Sequence, residues 1–437
     1  MGLPSREAHT VTDPYAQVDF FRDESLVEDP YPYFRHLREQ CPVVREPHHG
    51  VMMVTGYAEA VEIYNDPARF SSCNSVTGPF PGFPVPLEGN DISELIEQHR
   101  AELPMGDQII TFDPPTHTDH RALLMRLITP KRLAENEGFM WRLADRQIDT
   151  FHSLGSCEFI ADFATPFALL VIADLLGVPE EDHALFIQRL HRRGGSDRTV
   201  GSTGDDALAQ NPLQFLYEQF TRYVVERRRE PRGDVLTGLA RATFPDGTVP
   251  DPLDVARIAS NLFAAGQETT VRLLGATVQL MAEQHELQTL LRGDRSRIPN
   301  FVEETLRTES PVKGDFRLAQ VTTTVGGVDI PAGTTLMVLN GAANRDPGRF
   351  IDPDTFDPSR PEARQHIAFG RGVHTCPGAP LARTEARVSL ERLLDRLGAI
   401  TISEAAHGPA EARRYQYAPT YILRGLAELH IEFTPVA

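Results

Sequence analysis

The sequence predicts a helix-rich α+β fold, mainly α with small β-sheets, and three observations carry that reading. From about residue 120 to 310, apolar residues recur at helical spacing. After Pro311 the texture changes to short β-branched runs separated by glycine-containing turns. The 34 prolines and 32 glycines are dispersed, with no repeat or low-complexity tract, so residues 1–437 read as a single large domain.

The first helical stretch places Leu123, Leu124, Leu127 and Ile128 on one face. The richest apolar run, 167–173, is broken by Asp174, well short of the ~20 residues a membrane-spanning helix needs. Phe215, Leu216, Phe220 and Val224 mark another helix. The clearest one opens at Asp251-Pro252, a capping residue followed by proline at the first helical position. It runs through Val255, Ile258, Leu262, Leu273 and Met281 to near His285. At 1.5 Å per residue this is roughly 50 Å, enough to cross the whole domain. Strands are expected at 321–325 and 334–338, helix again at about 379–396, and a closing strand within 427–433. The β-rich segments are therefore about 311–340 and 415–435.

Composition narrows the function. The balance of 43 Lys plus Arg against 61 Asp plus Glu gives a formal charge of −18, which argues against a nucleic-acid or anionic-membrane binder. Cys41, Cys73, Cys157 and Cys376 are few and form no CxxC pair, so a reducing compartment is expected. The N-terminal stretch lacks a positive region followed by an apolar one. A soluble, cytoplasmic protein is the expectation.

The segment Phe369-Gly-Arg-Gly-Val-His-Thr-Cys-Pro-Gly378 sets glycines and the lone Cys376 just before a helix containing Leu381, Ala382, Val388 and Leu390. Glycines permit a tight turn close to a flat ligand, and a helix N-terminus stabilises a thiolate through unpaired N–H groups and its dipole. A free cysteine is more often a small core hydrophobe. Here, however, every specified position of F-G-x-G-x-H-x-C-x-G is met, and the segment resembles the haem-thiolate loop of the cytochrome P-450 family, soluble bacterial class. The resemblance implies haem b (iron protoporphyrin IX) with Cys376 as axial iron ligand. It also implies His374 on a haem propionate, with Phe369, Gly370 and Gly378 shaping the loop around the cofactor.

Other positions of the family recur in order. On the long helix, Ala265-Gly-Gln-Glu-Thr-Thr270 resembles the oxygen-activation motif. In that reading Ala265 and Gly266 remove bulk where the cofactor approaches, and Thr269, assisted by Glu268, organises proton delivery on a locally opened helix. Taken alone, the stretch also reads as close helix packing with Glu268 in an ion pair. Glu304-Thr-Leu-Arg307 resembles the ExxR pair. The same spacing at Glu97/Arg100, Glu226/Arg229 and Glu411/Arg414 suits solvated surface pairs. Position selects Glu304/Arg307, because Arg360 follows as the third member of a buried network. His117, Asp119 and His120 reproduce the end of an H-x-H-x-D-H zinc signature, but Pro115 replaces its first histidine. In the family reading His117, Arg121 and Arg317 bind propionates instead.

The resemblance spans about residues 112 to 435. It implies a monooxygenase that uses O2 and takes electrons from a separate redox partner, a [2Fe-2S] ferredoxin with its ferredoxin reductase. Arg126, Lys131, Arg132, Arg371 and Arg383 are the basic patch expected to receive that partner. The substrate is expected to be a lipophilic small molecule of terpenoid, steroid, aromatic or fatty-acyl type. Residues 74–103, the helix near Ala264, 312–316 and 420–422 would surround it, with Phe80, Phe83, Phe316 and Tyr421 as apolar wall. A peroxide-driven peroxygenase and a non-catalytic, partner-recruiting relative are the alternatives; the first typically lacks the acid and threonine of the long helix, the second the cysteine loop.

Overall fold

The computed structural model describes residues 14–190 and 213–436. The helices that position the site are α1 (Tyr31–Gln40), α2 (Tyr57–Asn65), α3 (Thr116–Leu124), α4 (Pro130–Phe151), α5 (Thr165–Leu176), α6 (Gln214–Arg229), α7 (Pro252–Glu283), α8 (Ile298–Glu309) and α9 (Ala379–Arg396). Local chemistry sets their ends. Asp251 caps α7 by accepting from the Leu253 amide at 2.8 Å, with Pro252 at the first helical position. Thr129 caps α4 in the same way, accepting from the Arg132 amide at 3.2 Å. Gly177, at φ 76°, ends α5.

The long helix α7 is the axis of the fold. It packs against α3, α5, α6, α8 and α9, and α4 lies across α5 and α9. The expected core residues Val255, Ile258, Leu262, Leu273 and Met281 are all buried in one cluster that also takes in Leu123, Leu124, Leu127 and Ile128. Leu127 and Ile128 lie past the end of α3, so their helical spacing reflects a shared core face rather than one continuous helix. Helix α5 is buried almost all round. Its polar exception, Asp174, accepts from the Asn136 side chain at 2.7 Å. No helix among the described residues is long and apolar enough to cross a membrane.

Three small sheets complete the frame. The largest has the order β1 (Val43–Arg45), β2 (Met52–Val54), β8 (Thr335–Val338), β5 (Asp315–Ala319), β3 (Phe70–Ser71), with β2 and β8 parallel and the other pairs antiparallel. β6 (Thr323–Val325) and β7 (Val328–Ile330) form a hairpin. β10 (His430–Pro435) pairs with both β9 (Leu397–Ile402) and β4 (Ser156–Glu158). The long helix, the cysteine helix at 379–396 and the strands after Pro311 appear where the sequence places them. The strands before residue 112 do not emerge from periodicity, because runs of two or three residues are too short to show an alternation.

Candidate active site

The loop into α9 is built for a sulfur at a helix N-terminus. Gly370 and Gly372 both lie in the left-handed region, at φ 66° and 67°, and a Cβ on Gly372 would stand 2.1 Å from the Tyr64 carbonyl oxygen. Only glycine fits there. The Cys376 amide donates to the Phe369 carbonyl at 2.9 Å and closes the loop. Burial pushes the half-buried Cys376 thiol up; the amides of Gly378 and Ala379 and the cations Arg121 and Arg383 pull the other way. His374 sits in the same turn with Nε2 3.0 Å from the Phe112 carbonyl.

The middle of α7 packs against α9, the helix into which this loop leads. Leu262 and Phe263 are buried, as are Thr270, Leu273 and Leu274, yet Ala264 to Thr269 between them are accessible, Ala265 most of all. A mid-helix exposure in the most central helix marks a cleft, where Ala264 and Ala265 present small side chains. Three expectations change here. Gly266 does not face the cleft: a Cβ there would meet Ile172 of α5 at 3.3 Å, so this glycine serves helix packing. The helix is not locally opened, since α7 runs unbroken from Pro252 to Glu283. Glu268 and Thr269 have separate partners: Arg272, one turn on, ion-pairs with Glu268, and Thr269 Oγ1 donates to the Ala265 carbonyl at 2.8 Å.

A cationic group gathers beside the loop. The rings of His117 and His374 lie 4.0 Å apart. Burial, then Arg121, His120 and Arg317, hold His117 down at about 4; burial, then Arg317 and His117, hold His374 at about 2. Arg121 Nη2 donates to the Thr375 carbonyl at 2.6 Å, and the buried Arg317 donates to Asp315 at 2.9 Å and to the Phe316 carbonyl at 2.6 Å. Two arginines and two neutral imidazoles thus converge where, among the described residues, Asp315 is the one carboxylate hydrogen-bonded to any of them. The zinc alternative finds no support: His120 turns to the Thr116 carbonyl, and the described residues hold no group of three His, Cys, Asp or Glu able to bind a metal.

Behind the loop lies the ExxR network. Glu304 and Arg307, both fully buried, share two hydrogen bonds of 2.8 Å, and Arg360 reaches Glu304 at 3.0 Å. The remaining guanidinium donors go to the carbonyls of Asn344, Pro353, Thr355, Ile351 and Asp352. Among the other pairs of that spacing, Glu97 holds Arg100 while Glu226 turns to Arg227 and Arg232. Sequence reasoning missed the neighbour, Glu303. It grips Arg383 at 2.6 and 3.0 Å and His366 at 3.1 Å, and Arg383 lies over the Phe369 ring at 4.7 Å. An E-E pair in sequence cannot say which carboxylate serves the trio and which serves the loop.

The expected basic patch is smaller than its sequence suggests. Arg383 is committed to Glu303, and Arg132 is 18% exposed, bonded to the Leu175 carbonyl at 3.0 Å and paired with Asp174. Arg371 donates to the Gln365 carbonyl at 3.2 Å. Exposed Arg126 and Lys131 remain, the latter 87% exposed with only a loose 3.9 Å contact to Glu135. The expected aromatic wall also divides. Phe80, Phe316 and Tyr421 pack around Phe21 at centroid distances of 5.6, 6.3 and 5.2 Å in an N-terminal core cluster. Phe83 alone of the four lines a cavity of about 440 Å³, with Asn74, Leu87, Leu103 and Leu318.

A family model described as cytochrome P450 matches residues 246–410. Cytochrome P450 144 of Mycobacterium tuberculosis is 32% identical over 398 residues, covering 88% of this chain and 86% of that protein. The chain belongs to the cytochrome P450 family. The 6-deoxyerythronolide B hydroxylase of Saccharopolyspora erythraea is 32% identical over 429 residues, covering 95% of this P450 and 98% of that protein. The substrate-free structure of Mycobacterium marinum cytochrome P450 CYP150A6 is 55% identical, covers 97% of this chain and 100% of that one, and superposes with a TM-score of 0.91. This P450 is therefore an oxidoreductase of the monooxygenase kind, and its family implies haem iron, O2 and a redox partner. The residues present fit a haem. The thiol at the start of α9, the accessible small-residue stretch of α7 and the cationic cluster answer to an iron ligand, a flat face and two carboxylates respectively.

Proposed function

We propose that this P450 is one catalytic domain that inserts one oxygen atom of O2 into a lipophilic small molecule, with haem b as cofactor and a [2Fe-2S] ferredoxin and its reductase as electron source. The observation that carries the reading is the pairing of a half-buried thiol at a helix N-terminus with the accessible middle of α7. Cys376 would hold the iron, and His117, Arg121, Arg317 and His374 would hold the propionates. When bound, the haem supplies the iron chemistry that activates oxygen. The relative named as a 6-deoxyerythronolide B hydroxylase supports hydroxylation as the reaction. Pairing across the ends of the chain, β10 with β4 and β2 with β8, supports a single unit. A panel of terpenoid, steroid, aromatic and fatty-acyl compounds, scored for hydroxylated product with reductase and ferredoxin, tests the assignment. Turnover confined to highly polar compounds would refute it.

The chain's own part in catalysis is to position groups and move protons. Thr269 Oγ1 rests on the Ala265 carbonyl, so its hydrogen is held along the helix and its lone pairs remain available on the cleft side to order water. Thr269→Ala is expected to keep haem and substrate affinity while sending a larger share of reducing equivalents to hydrogen peroxide. A variant as well coupled as the parent would remove Thr269 from proton delivery.

For the donor, Arg126 and Lys131 are the exposed cations of the expected patch. Steering by such charges raises association rates and is screened over about 8 Å at physiological salt. Arg126→Glu with Lys131→Glu is expected to slow reduction by a [2Fe-2S] ferredoxin by about tenfold, with substrate affinity unchanged. Added salt should slow the parent likewise. A rate indifferent to both changes would place docking elsewhere. Arg132→Glu is unsuitable for this test, because it would also remove the hydrogen bond to the end of α5.

A further inference from the structure

One buried cation in this fold balances no acid. Lys313, just ahead of β5, is 2% exposed. Among the described residues its amine makes one hydrogen bond, donating to the Thr420 carbonyl at 2.7 Å, and pairs with no carboxylate. Two guanidinium groups act on it, Arg272 of α7 and Arg424, and each is already committed: Arg272 to Glu268, Arg424 to Glu309 at the end of α8. Tyr31 and Tyr417 add their rings against Arg424, at 5.3 and 4.4 Å. The Nε of each arginine is buried without a partner. Three cations therefore share two carboxylates, in a chain whose formal charge is −18. A lysine is almost never buried this deeply unless it is paired. We propose that Lys313 is a specificity-determining residue: its amine receives the carboxylate of the substrate, so the lipophilic compounds this P450 takes are acids rather than neutral molecules.

The direction of the chain places the amine. Extended backbone alternates its faces. Phe316 belongs to the N-terminal core cluster, Val312 packs on it, and a Cβ on Gly314 would stand 2.8 Å from its Met337. Lys313, Asp315 and Arg317 therefore share the opposite face, on which Arg317 joins the cationic group beside the cysteine loop. Asp315 is taken by Arg317 at 2.9 Å and does not neutralise the lysine. The Lys313 amide donates to the Ile422 carbonyl at 2.7 Å and Val312 pairs with Leu423, which anchors the residue beside the turn at 420–422. On the α7 side, Arg272 stands one turn beyond Glu268, which belongs to the accessible stretch. Burial, then Arg424 and Arg272, hold the Lys313 amine down at about 7. Without a ligand the amine is thus easily left neutral, with a backbone carbonyl as its partner. A carboxylate offers a stronger, charged acceptor and brings a proton onto the amine as it binds.

The inference rests on the reading that 312–316 and 420–422 surround a lipophilic substrate, and matched ligands separate the two. Dodecanoic, naphthoic and lithocholic acids, each beside its primary amide, are titrated calorimetrically into the haem-loaded protein, in buffers of different ionisation enthalpy. At least one acid is expected to bind about tenfold tighter than its amide, the worth of a hydrogen bond to a charged group. At about pH 8 the free amine is mostly neutral while the paired one is charged, so the acid should take up about one proton and bind more weakly than at about pH 6, where uptake vanishes. The amides should show neither effect. Lys313→Met should abolish both the preference and the uptake. Lys313→Arg, which stays charged, should keep the preference and lose the uptake, a split that a merely structural lysine would not give. Amides that bind as well as their acids would overturn the proposal and leave the substrate site standing. So would an acid preference that survives Lys313→Met. If that variant fails to fold, the parent decides by itself: tight binding of an acid without proton uptake at about pH 8 overturns the proposal. A parent that binds neither series would overturn the substrate-site reading and this inference with it.

Discussion

Cys376→Ser is expected to reduce monooxygenation to the level of the haem-free protein while leaving the helical circular dichroism unchanged. The reason lies in what holds the loop. Its closure is a backbone bond from the Cys376 amide to the Phe369 carbonyl, and its shape comes from Gly370 and Gly372, so the sulfur can go without the turn collapsing. What goes with it is the soft anionic donor at the start of α9, for which a serine hydroxyl is no substitute at neutral pH. Product formation with reductase and ferredoxin, beside circular dichroism of the same sample, checks both halves. A serine variant that retains turnover would move the iron ligand elsewhere.

Glu304→Gln is expected to cost about 3–5 kcal/mol of stability, a large share of the roughly 5–15 kcal/mol that holds a domain together. Glu304 accepts from Arg307 twice, from Arg360 and from the Asp357 amide, and both arginines are buried. An amide removes the charge that two guanidinium groups share and turns one acceptor into a donor facing them. Denaturant unfolding of the haem-free chain reads the loss directly. A change below about 1 kcal/mol, the scale of an exposed pair, would mean that the network is not what braces the loop.

Much of this site was legible from residue type and spacing alone. The long helix announced itself through Asp251-Pro252 and a core face repeated over many turns, and both ends fell where those signals lie. The cysteine helix was legible for the same reason, through Leu381, Ala382, Val388 and Leu390 after the glycine-rich loop. What stayed hidden depends on direction rather than on spacing. A glycine motif does not say which wall its missing Cβ faces, and Gly266 faces Ile172. Aromatics in the variable stretch do not say whether they line a cavity or a core, and an N-terminal cluster around Phe21 absorbs three of the four expected in the pocket. Arginines grouped in sequence do not reveal their carboxylates, which is how Arg132 and Arg383 left the docking patch. Glu385, buried on α9 and accepting a hydrogen bond from Thr270, gave no signal at all. An acidic residue inside a helix reads as solvated surface until its neighbours are known.

The carbon monoxide difference spectrum of the freshly reduced, haem-loaded protein tests the central claim most directly, because it reports the iron's axial ligand and nothing about substrate, donor or coupling. A strongly red-shifted Soret band, the signature of a cysteine thiolate opposite the gas, is the result expected, and Cys376→Ser should abolish it. A haem-loaded parent that shows only the unshifted band of a histidine- or thiol-ligated iron would contradict the assignment of Cys376.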